Sequence, residues 1–327
     1  MKALLIVNPI SGTHSKEQIQ YLAPPILEEL GWNVELVFTC GPRDATRLAR
    51  RGVNDGFDAV IVAGGDGTVN EAATGLCGSD TPLGILPSGS GNGLARHFQL
   101  PMDALEATRL MRPENVIAID YGQINGCRPF FCTLGMGFDA AVSERFAEKN
   151  RRGKLTYVLS TFETFREYKP DTYTLTLPDG TQIQRNALVV AVCNASQYGN
   201  NAFIAPGASV RDGLFDVTII HSGNTIKTLL SGVDLMMGRL DRNTLVETFR
   251  VPGIRIARSE GRPIHIDGEP IDTMPDVLDI QCRHEGLKVF CRPDKAPFRP
   301  VVTPLLSQLD DLMRDIRHLF VRGNREL

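Results

Sequence analysis

The sequence predicts an α/β domain followed by a mainly β domain, and three observations lead to this prediction. Apolar strand-like runs alternate with helical segments up to about residue 115. From there to about residue 292, short alternating strands separated by turn residues dominate. A chain of 327 residues is long for one hydrophobic core and suits two domains. We therefore expect a nucleotide-type α/β domain at 1–115 and a β-rich domain at 116–295.

The first domain is expected to contain a mainly parallel sheet. Its predicted elements are a strand at 3–7, a helix at 17–30, a strand at 33–38, a helix at 44–51 ended by Gly52, a strand at 58–63, a helix at about 69–77 and a strand at 82–86. Apolar strands spaced by helices are typical of parallel sheets with helices on both faces. Such sheets bind ligands beyond the carboxyl ends of their strands, so the loops that follow the strands are the predicted site.

The second domain is expected to be an antiparallel β structure interrupted by helices. Its predicted strands lie at 172–177, 187–193, 214–220, 246–250, 263–267, 278–282 and 287–291, with helices near 140–168 and 224–237. A proline-rich connector then precedes a final helix within 300–327, whose leucines and isoleucine form one apolar stripe. That stripe indicates core packing, with a homodimer contact or a membrane-lying face as alternatives.

Composition narrows the classes of function. The net charge of −3 disfavours a nucleic-acid-binding protein. Seven scattered cysteines without a CxxC pair favour free thiols in a cytoplasmic protein. No apolar run approaches the length that spans a bilayer, so any membrane contact is expected to be peripheral.

The most informative segment follows the third predicted strand. Gly64, Gly65 and Gly67 surround Asp66, and a helix is expected to start shortly afterwards. Glycine lets backbone amides approach phosphate oxygens, and a helix N-terminus attracts anions. Asp66 then suits either a Mg²⁺-linked carboxylate or a base for an attacking hydroxyl. The glycine turn, the helix start and Asp66 together indicate phosphoryl transfer. The alternative is a tight connection in which the aspartate only caps the helix.

Two further loops are expected at the same edge of the sheet. They are Asn8–Gly12 after the first strand and Pro87–Asn92 after the fourth, and both are rich in glycine, serine or asparagine. The P-loop pattern is absent from the sequence. The run from Gly135 to Ala140 fits a loose dinucleotide pattern, but without a surrounding βαβ unit it indicates packing or a lipid pocket instead.

Four motifs in order resemble the diacylglycerol kinase catalytic-domain family, which includes bacterial lipid kinases, sphingosine kinases and ceramide kinases. They are NPISG at 8–12, GGDGTVNE at 64–71, PSGSGN at 87–92 and DGE at 267–269. The resemblance implies a Rossmann-like nucleotide domain and a β-sandwich-like domain, with the active site in the cleft between them. It also implies that the final helix returns to the first domain.

The resemblance also implies site residues. The implied nucleotide-binding positions are Asn8, Ser11, Gly12, Thr39, Gly64, Gly65, Asp66, Gly67, Thr68, Val69, Asn70, Glu71, Ser88, Gly89, Ser90 and Asn92. Asp66 would serve catalytic Mg²⁺ and transition-state charge, while Glu269, with Asp267 beside it, would be the general base for the lipid hydroxyl. A structural Mg²⁺ loop would use the Asp212 carboxylate and backbone carbonyls near Ser209 and Leu214, where a solvated turn is the equal alternative.

The predicted function is that of a cytoplasmic, peripherally membrane-associated lipid kinase that uses ATP and Mg²⁺, with diacylglycerol as the first candidate acceptor. A sphingoid base or ceramide is an alternative acceptor, and a sphingoid amine would need a carboxylate such as Asp139 or Glu144. The rival functions are a soluble NAD kinase and a non-enzymatic nucleotide-binding regulator. The basic residues Arg145, Lys149, Arg151, Arg152 and Lys154 form either a solvated face or a contact with anionic membrane.

Overall fold

A computed structural model describes residues 1–9, 16–141, 168–223, 225–259, 264–271 and 274–292. Several predicted features lie outside these ranges: the final helix at 300–327, the basic cluster at 145–154, and the candidate residues Ser11 and Gly12. Most of the predicted helix at 140–168 lies outside them as well.

The first part of the chain forms the predicted alternating pattern. Its elements are β1 (Lys2–Val7), α1 (Lys16–Glu29), β2 (Asn33–Phe38), α2 (Asp44–Asn54), β3 (Ala59–Gly64), α3 (Asp66–Leu76) and β4 (Leu83–Pro87). The four strands lie in the order β2-β1-β3-β4, and all of them are parallel. Alternate residues of β1 and β3 enter two separate cores, because α2 and α3 cover one face of the sheet and α1 the other.

Two predicted helix boundaries were wrong. Helix α2 continues through Gly52 to Asn54. Gly52 does not end the helix but allows it to pack closely against the sheet. A Cβ at this glycine would lie only 2.7 Å from Cγ2 of Val60. Helix α3 begins at Asp66 rather than near residue 69, so the Asp66–Thr68 segment forms the first turn of the helix.

The remaining described elements are mostly strands. They are α4 (Gly93–His97), α5 (Ala104–Thr108), β5 (Val116–Ile124), β6 (Arg128–Phe130), β7 (Thr133–Gly137), β8 (Asp171–Thr176), β9 (Gln182–Ala187), β10 (Val189–Cys193), β11 (Phe215–Ile220), α6 (Thr225–Met236), β12 (Val246–Val251), β13 (Gly253–Ala257), β14 (Ile264–Ile266), β15 (Glu269–Ile271) and β16 (Val277–Phe290). Strands β5 to β7, β9, β13 and β15 were not predicted.

Strand β16 connects the two halves of the molecule. The two strands predicted at 278–282 and 287–291 are one strand, with an irregularity in its pairing to β5 between Arg283 and Leu287. Near its end β16 pairs in parallel with β4, and along its earlier part it pairs antiparallel with β13. In the described part of the chain, the first sheet therefore has ten strands and continues beyond the α/β half.

A second sheet packs on the extension of the first. Its order is β12-β11-β10-β7-β14-β15, and its neighbouring strands are antiparallel. Side chains of β8, β13 and β16 from one sheet share a core with side chains of β7, β10 and β11 from the other. This arrangement is a β-sandwich, so the second half of the fold class agrees with the prediction.

Within the described ranges, none of the helices combines the length and the apolar character that crossing a bilayer requires. All seven cysteines are free thiols.

Candidate active site

The predicted loops meet at the carboxyl ends of the parallel strands. Asn8 follows β1, and its side-chain amide donates to Oγ1 of Thr68 at 2.8 Å. The amide of Ser88, after β4, donates to the carbonyl oxygen of Gly64 at 3.0 Å. Thr39 follows β2 and is buried beside β1, where its amide donates to the carbonyl oxygen of Val7. The convergence predicted from the strand order is therefore present.

Glycines allow the turn after β3 and the loop after β4 to touch. A Cβ at Gly89 would lie 2.6 Å from Cα of Gly65, so no larger residue fits there without moving the backbone. A Cβ at Gly64 would lie 2.5 Å from Cβ of Thr68. Helix α3 has Gly65 as its N-cap, and therefore no N-cap side chain covers its first turn. Backbone amides at such a helix start suit a phosphate.

Asp66 connects these two loops. Its carboxylate accepts hydrogen bonds from the amide of Asn92 at 2.8 Å and from the amide of Gly93 at 2.7 Å. Burial raises the pKa of Asp66, although these two amides favour its charged form and so oppose the shift. A Cβ at Gly91 would lie 2.6 Å from Oδ2 of Asp66, so the carboxylate uses space that this glycine leaves open.

Asn92 closes the loop after β4. It has a left-handed backbone, with φ of 51°, and its side chain bonds both the amide and the carbonyl oxygen of Gly89. Ser90 is exposed at the tip of the loop, whereas the Ser88 hydroxyl donates to the carbonyl oxygen of Leu86. The Ser90 hydroxyl is therefore the one of these two that faces solvent.

The acidic hairpin lies between β14 and β15. Asp267 and Gly268 form its two-residue turn and both have positive φ, as a type I′ hairpin requires. The Asp267 carboxylate accepts from the Asn70 side chain at 2.5 Å and from the backbone amides of Phe131, Cys132 and Thr133. Burial nevertheless raises the pKa of Asp267, with these four donors opposing the shift.

Glu269 brings the two halves of the site together. It is exposed and stands beside the first turn of α3, where a Cβ at Gly67 would lie 3.2 Å from its Oε1 atom. The turn predicted to hold phosphates and the carboxylate predicted to act as a base are therefore neighbours. Gly67 and Glu269 lie about two hundred positions apart in the chain, and only the fold places them side by side.

Two predicted nucleotide-binding side chains have other contacts. Val69 is buried in the core beneath α3. The Glu71 carboxylate accepts from the amides of Arg43 and Ala45 at the start of α2. At both positions, therefore, the backbone but not the side chain is left for the predicted nucleotide contact.

The predicted metal loop is held by ion pairs and backbone bonds. Asp212 pairs with the guanidinium of Arg250 at 2.9 Å and also accepts from the amide of Leu214, while the Ser209 hydroxyl accepts from the amide of Arg211. The Asp212 carboxylate is therefore paired with a guanidinium in this arrangement, and its role as a metal ligand stays a prediction. Among the described residues, no group of three or more histidine, cysteine, aspartate or glutamate side chains could hold a metal.

Two aspartates make polar contacts that were not predicted from the sequence. Asp120 is fully buried and accepts from the amides of Gly213 and Glu285 and from the His284 ring. Near the hairpin, Asp139 accepts from the Tyr198 hydroxyl. Asp139 was predicted only as a candidate partner for a sphingoid amine, and its contact with Tyr198 was not predicted. Asp120 lies in β5, a strand that was not predicted.

Comparison with known proteins decides the family. A model described as the diacylglycerol kinase catalytic domain matches residues 2–124, and one described as the YegS C-terminal NAD kinase beta sandwich-like domain matches residues 132–291. A diacylglycerol kinase from Mycobacterium tuberculosis is 30% identical over 275 residues, which are 82% of this chain and 88% of the relative. The chain belongs to the diacylglycerol kinase family.

Other members of the family extend this comparison. A Pseudomonas fluorescens protein named as a probable YegS-like lipid kinase is 29% identical, over 90% of this chain and 97% of its own. A crystal structure of a Bacillus anthracis protein assigned to the diacylglycerol kinases superposes with a TM-score of 0.76 at 27% identity, covering 90% of this chain and 96% of that one. The predicted family, the predicted fold class and the predicted lipid-kinase class are confirmed.

Proposed function

We propose that this lipid kinase transfers the γ-phosphoryl group of ATP, supplied as its magnesium complex, to a hydroxyl of diacylglycerol at a membrane surface. The observation that carries the proposal is the proximity of Glu269 to Gly67, where an added Cβ would lie 3.2 Å from the Glu269 Oε1 atom. A helix start suited to phosphate thereby faces a carboxylate suited to take a proton. The names of the Mycobacterium tuberculosis and Bacillus subtilis relatives support diacylglycerol as the acceptor.

On the donor side, the backbone would do most of the binding. Phosphoryl transfer needs positioning and charge stabilisation more than covalent chemistry from the protein. The first turn of α3 presents amides and the positive end of its dipole, and Asn8 holds Thr68 at this turn. The loop that ends at Asn92 would close the other side of the phosphates.

Asp66 would order the donor side and stand close to the magnesium of the nucleotide. A carboxylate has about four lone-pair sites, and the two amide bonds of Asp66 leave others for a cation. A cation there would favour the charged carboxylate against the effect of burial on its pKa. When bound with ATP, magnesium supplies neutralisation of phosphate charge.

On the acceptor side, Glu269 would be the general base. The lipid oxygen forms a bond to the γ-phosphorus, the bond from that phosphorus to the bridging oxygen of ADP breaks, and the hydroxyl proton passes to the Glu269 carboxylate. The exposure of Glu269 suits an acceptor that is presented from a membrane. Asp267 would hold the hairpin through its four donors instead of taking the proton.

The surroundings of Asp139 favour diacylglycerol over a sphingoid base. A sphingoid amine would need a carboxylate partner, and Asp139 was one of two sequence candidates. Its Oδ2 atom already accepts from the Tyr198 hydroxyl at 2.6 Å and lies 3.1 Å from Nε2 of His265. An amine would have to displace these partners.

The test is transfer of radiolabelled phosphate from ATP to vesicles that carry diacylglycerol, ceramide or sphingosine, and to NAD in solution. We expect label in diacylglycerol, and we expect Glu269→Gln to lower kcat by about 10² to 10⁴-fold, the usual range for loss of a general base. Glu29→Gln, the same change at an exposed position on α1, should leave kcat unchanged. A wild-type rate in Glu269→Gln would refute the assigned base, and labelled NAD without labelled lipid would refute the acceptor.

A further inference from the structure

The acidic hairpin has two backbone amides that its own ladder does not use. Residues Ile266 and Glu269 pair across the turn, so the turn amides of Asp267 and Gly268 need partners from elsewhere. The amide of Asp267 donates to the carbonyl oxygen of Thr133 at 2.8 Å. The amide of Gly268 faces Nδ1 of His265 at 3.3 Å. A histidine ring thus supports the residue directly before Glu269.

His265 is buried, with 1% of its surface exposed, and its other ring nitrogen lies 3.1 Å from Oδ2 of Asp139. The same oxygen accepts from the Tyr198 hydroxyl at 2.6 Å. An ionised carboxylate only accepts, so the ring proton belongs on Nε2. The lone pair of Nδ1 is then free to accept from Gly268. One tautomer satisfies both contacts.

Gly135 provides the space in which these side chains meet. It lies opposite His265 in the pairing of β7 with β14. A Cβ at Gly135 would overlap both Nε2 of His265 and Oδ2 of Asp139, so any side chain would occupy the place of their contact. This accounts for Gly135 in the glycine-rich run from Gly135 to Ala140, for which the sequence indicated only packing or a lipid pocket.

Tyr198 joins the network to the donor side. A Cβ at Gly93 would lie 3.2 Å from the carbonyl oxygen of Tyr198, and the amide of Asn200 approaches the carbonyl oxygen of Gly91 at 3.4 Å. Gly93 is also one of the two amides that hold Asp66. A continuous set of contacts therefore runs from the loop that holds Asp66 to the hairpin that carries Glu269.

We propose that His265, held as the Nε2–H tautomer by Asp139 and Tyr198, is a positioning residue that sets the turn at Gly268 and thereby aims Glu269 at the acceptor hydroxyl. The consequence for catalysis rests on the proposed function, in which Glu269 is the base. The consequence for the hairpin does not, because it concerns only the hydrogen bond at the Gly268 amide. The two can be measured separately.

The first measurement needs no substrate. In the full-length protein, ¹⁵N NMR of the imidazole should show a neutral ring with its proton on Nε2, and a proton on Nδ1 would overturn the proposal. Hydrogen exchange of the 266–270 segment should be faster in His265→Phe, which keeps a ring but removes both nitrogens. His221→Phe is the matched control, because His221 also faces a carboxylate, that of Glu247 at 3.4 Å, but follows β11, which two strands separate from β14 of the hairpin. Unchanged exchange in His265→Phe would overturn the proposal.

The second measurement is kinetic. We expect His265→Phe to lower kcat roughly tenfold, as loss of one orienting hydrogen bond would, while KM for ATP stays unchanged. His265→Asn retains an acceptor that can reach the Gly268 amide and should recover most of the lost rate. A fall in kcat without faster hairpin exchange, or failure of His265→Asn to recover rate above His265→Phe, would overturn the positioning role. If Glu269→Gln proves fully active, the proposed function fails, while the exchange and tautomer results still decide the role of His265 in the hairpin.

Discussion

Replacing Gly67 with alanine should separate activity from stability. Gly67 lies in the first turn of α3 with an ordinary φ, so alanine fits its backbone. The added Cβ would lie 3.2 Å from Oε1 of Glu269, whereas ordinary contacts at a Cβ are 3.4–4 Å. The Glu269 carboxylate must therefore retreat by a few tenths of an ångström. Because Glu269 is exposed, this movement costs the fold little, and alanine favours a helix over glycine by up to about 1 kcal/mol.

We expect the free energy of unfolding of Gly67→Ala to be unchanged or slightly higher, and kcat/KM to fall by about tenfold, because small displacements of a catalytic group are costly. Urea unfolding and the labelled-phosphate assay measure the two quantities. The control is Gly75→Ala in the same helix, where the Cβ would lie 2.7 Å from the backbone oxygen of Thr46. That variant should lose about 1–3 kcal/mol of stability, as overpacked sites do, while its folded fraction keeps its kcat.

A double-mutant cycle tests whether the loss of activity in Gly67→Ala passes through Glu269. If the loss in Gly67→Ala passes through Glu269, the alanine should have no further effect in a Glu269→Gln background. An equal fold-loss in both backgrounds would show that Gly67 acts elsewhere, for example on the phosphates, and that the 3.2 Å approach of the added Cβ to Oε1 of Glu269 is not the cause.

Three further predictions concern stability. Burial lowers the pKa of His97 to about 4 from 6.5, so on acidification the unfolded chain binds a proton before the folded chain does. The free energy of unfolding should therefore fall by about 3 kcal/mol as pH drops from 6.5 to 4. Urea unfolding across that range should show a smaller fall in His97→Gln, and an equal fall would contradict this. Asn70→Ala removes the 2.5 Å hydrogen bond to the Asp267 carboxylate and should lower the free energy of unfolding by about 1–3 kcal/mol. An unchanged urea midpoint would contradict this prediction. Gly52→Ala would place a Cβ 2.7 Å from Val60 and should lower the melting temperature, at a cost of about 1–3 kcal/mol; a melting temperature at or above wild type would show that the contact relaxes freely.

Local patterns predicted the α/β half well. The strand at 33–38 has the predicted bounds, and the strands at 3–7, 58–63 and 82–86 shift by one residue, because apolar runs and period are properties of the segment itself. Helix α2 shows the limit of this reasoning. Gly52 normally indicates a helix end, but here it serves a contact with Val60 from another element. Tertiary packing overrode the local signal.

The β half was harder to predict because its strands depend on distant partners. Strand β16 was divided into two, since a stretch of polar and charged residues between Arg283 and Leu287 interrupts its apolar alternation. Pairing with β5 on both sides of that interruption makes it one strand. Strand β7 pairs with β14, the first strand of the acidic hairpin, yet β7 contains two glycines and gives little strand signal.

By itself, the sequence determined that a glycine turn with Asp66 follows a buried strand, that an Asp-Gly turn precedes Glu269, and which family these motifs resemble. Such features depend on residues a few positions apart, whose backbone preferences act locally. Only the tertiary structure decided that Asp66 is held by Asn92 and Gly93, and that Asp267 is held by a side chain 197 positions away. Contacts of this kind follow from how the sheets pack, because hydrogen bonds between distant residues form only after folding has brought their elements together.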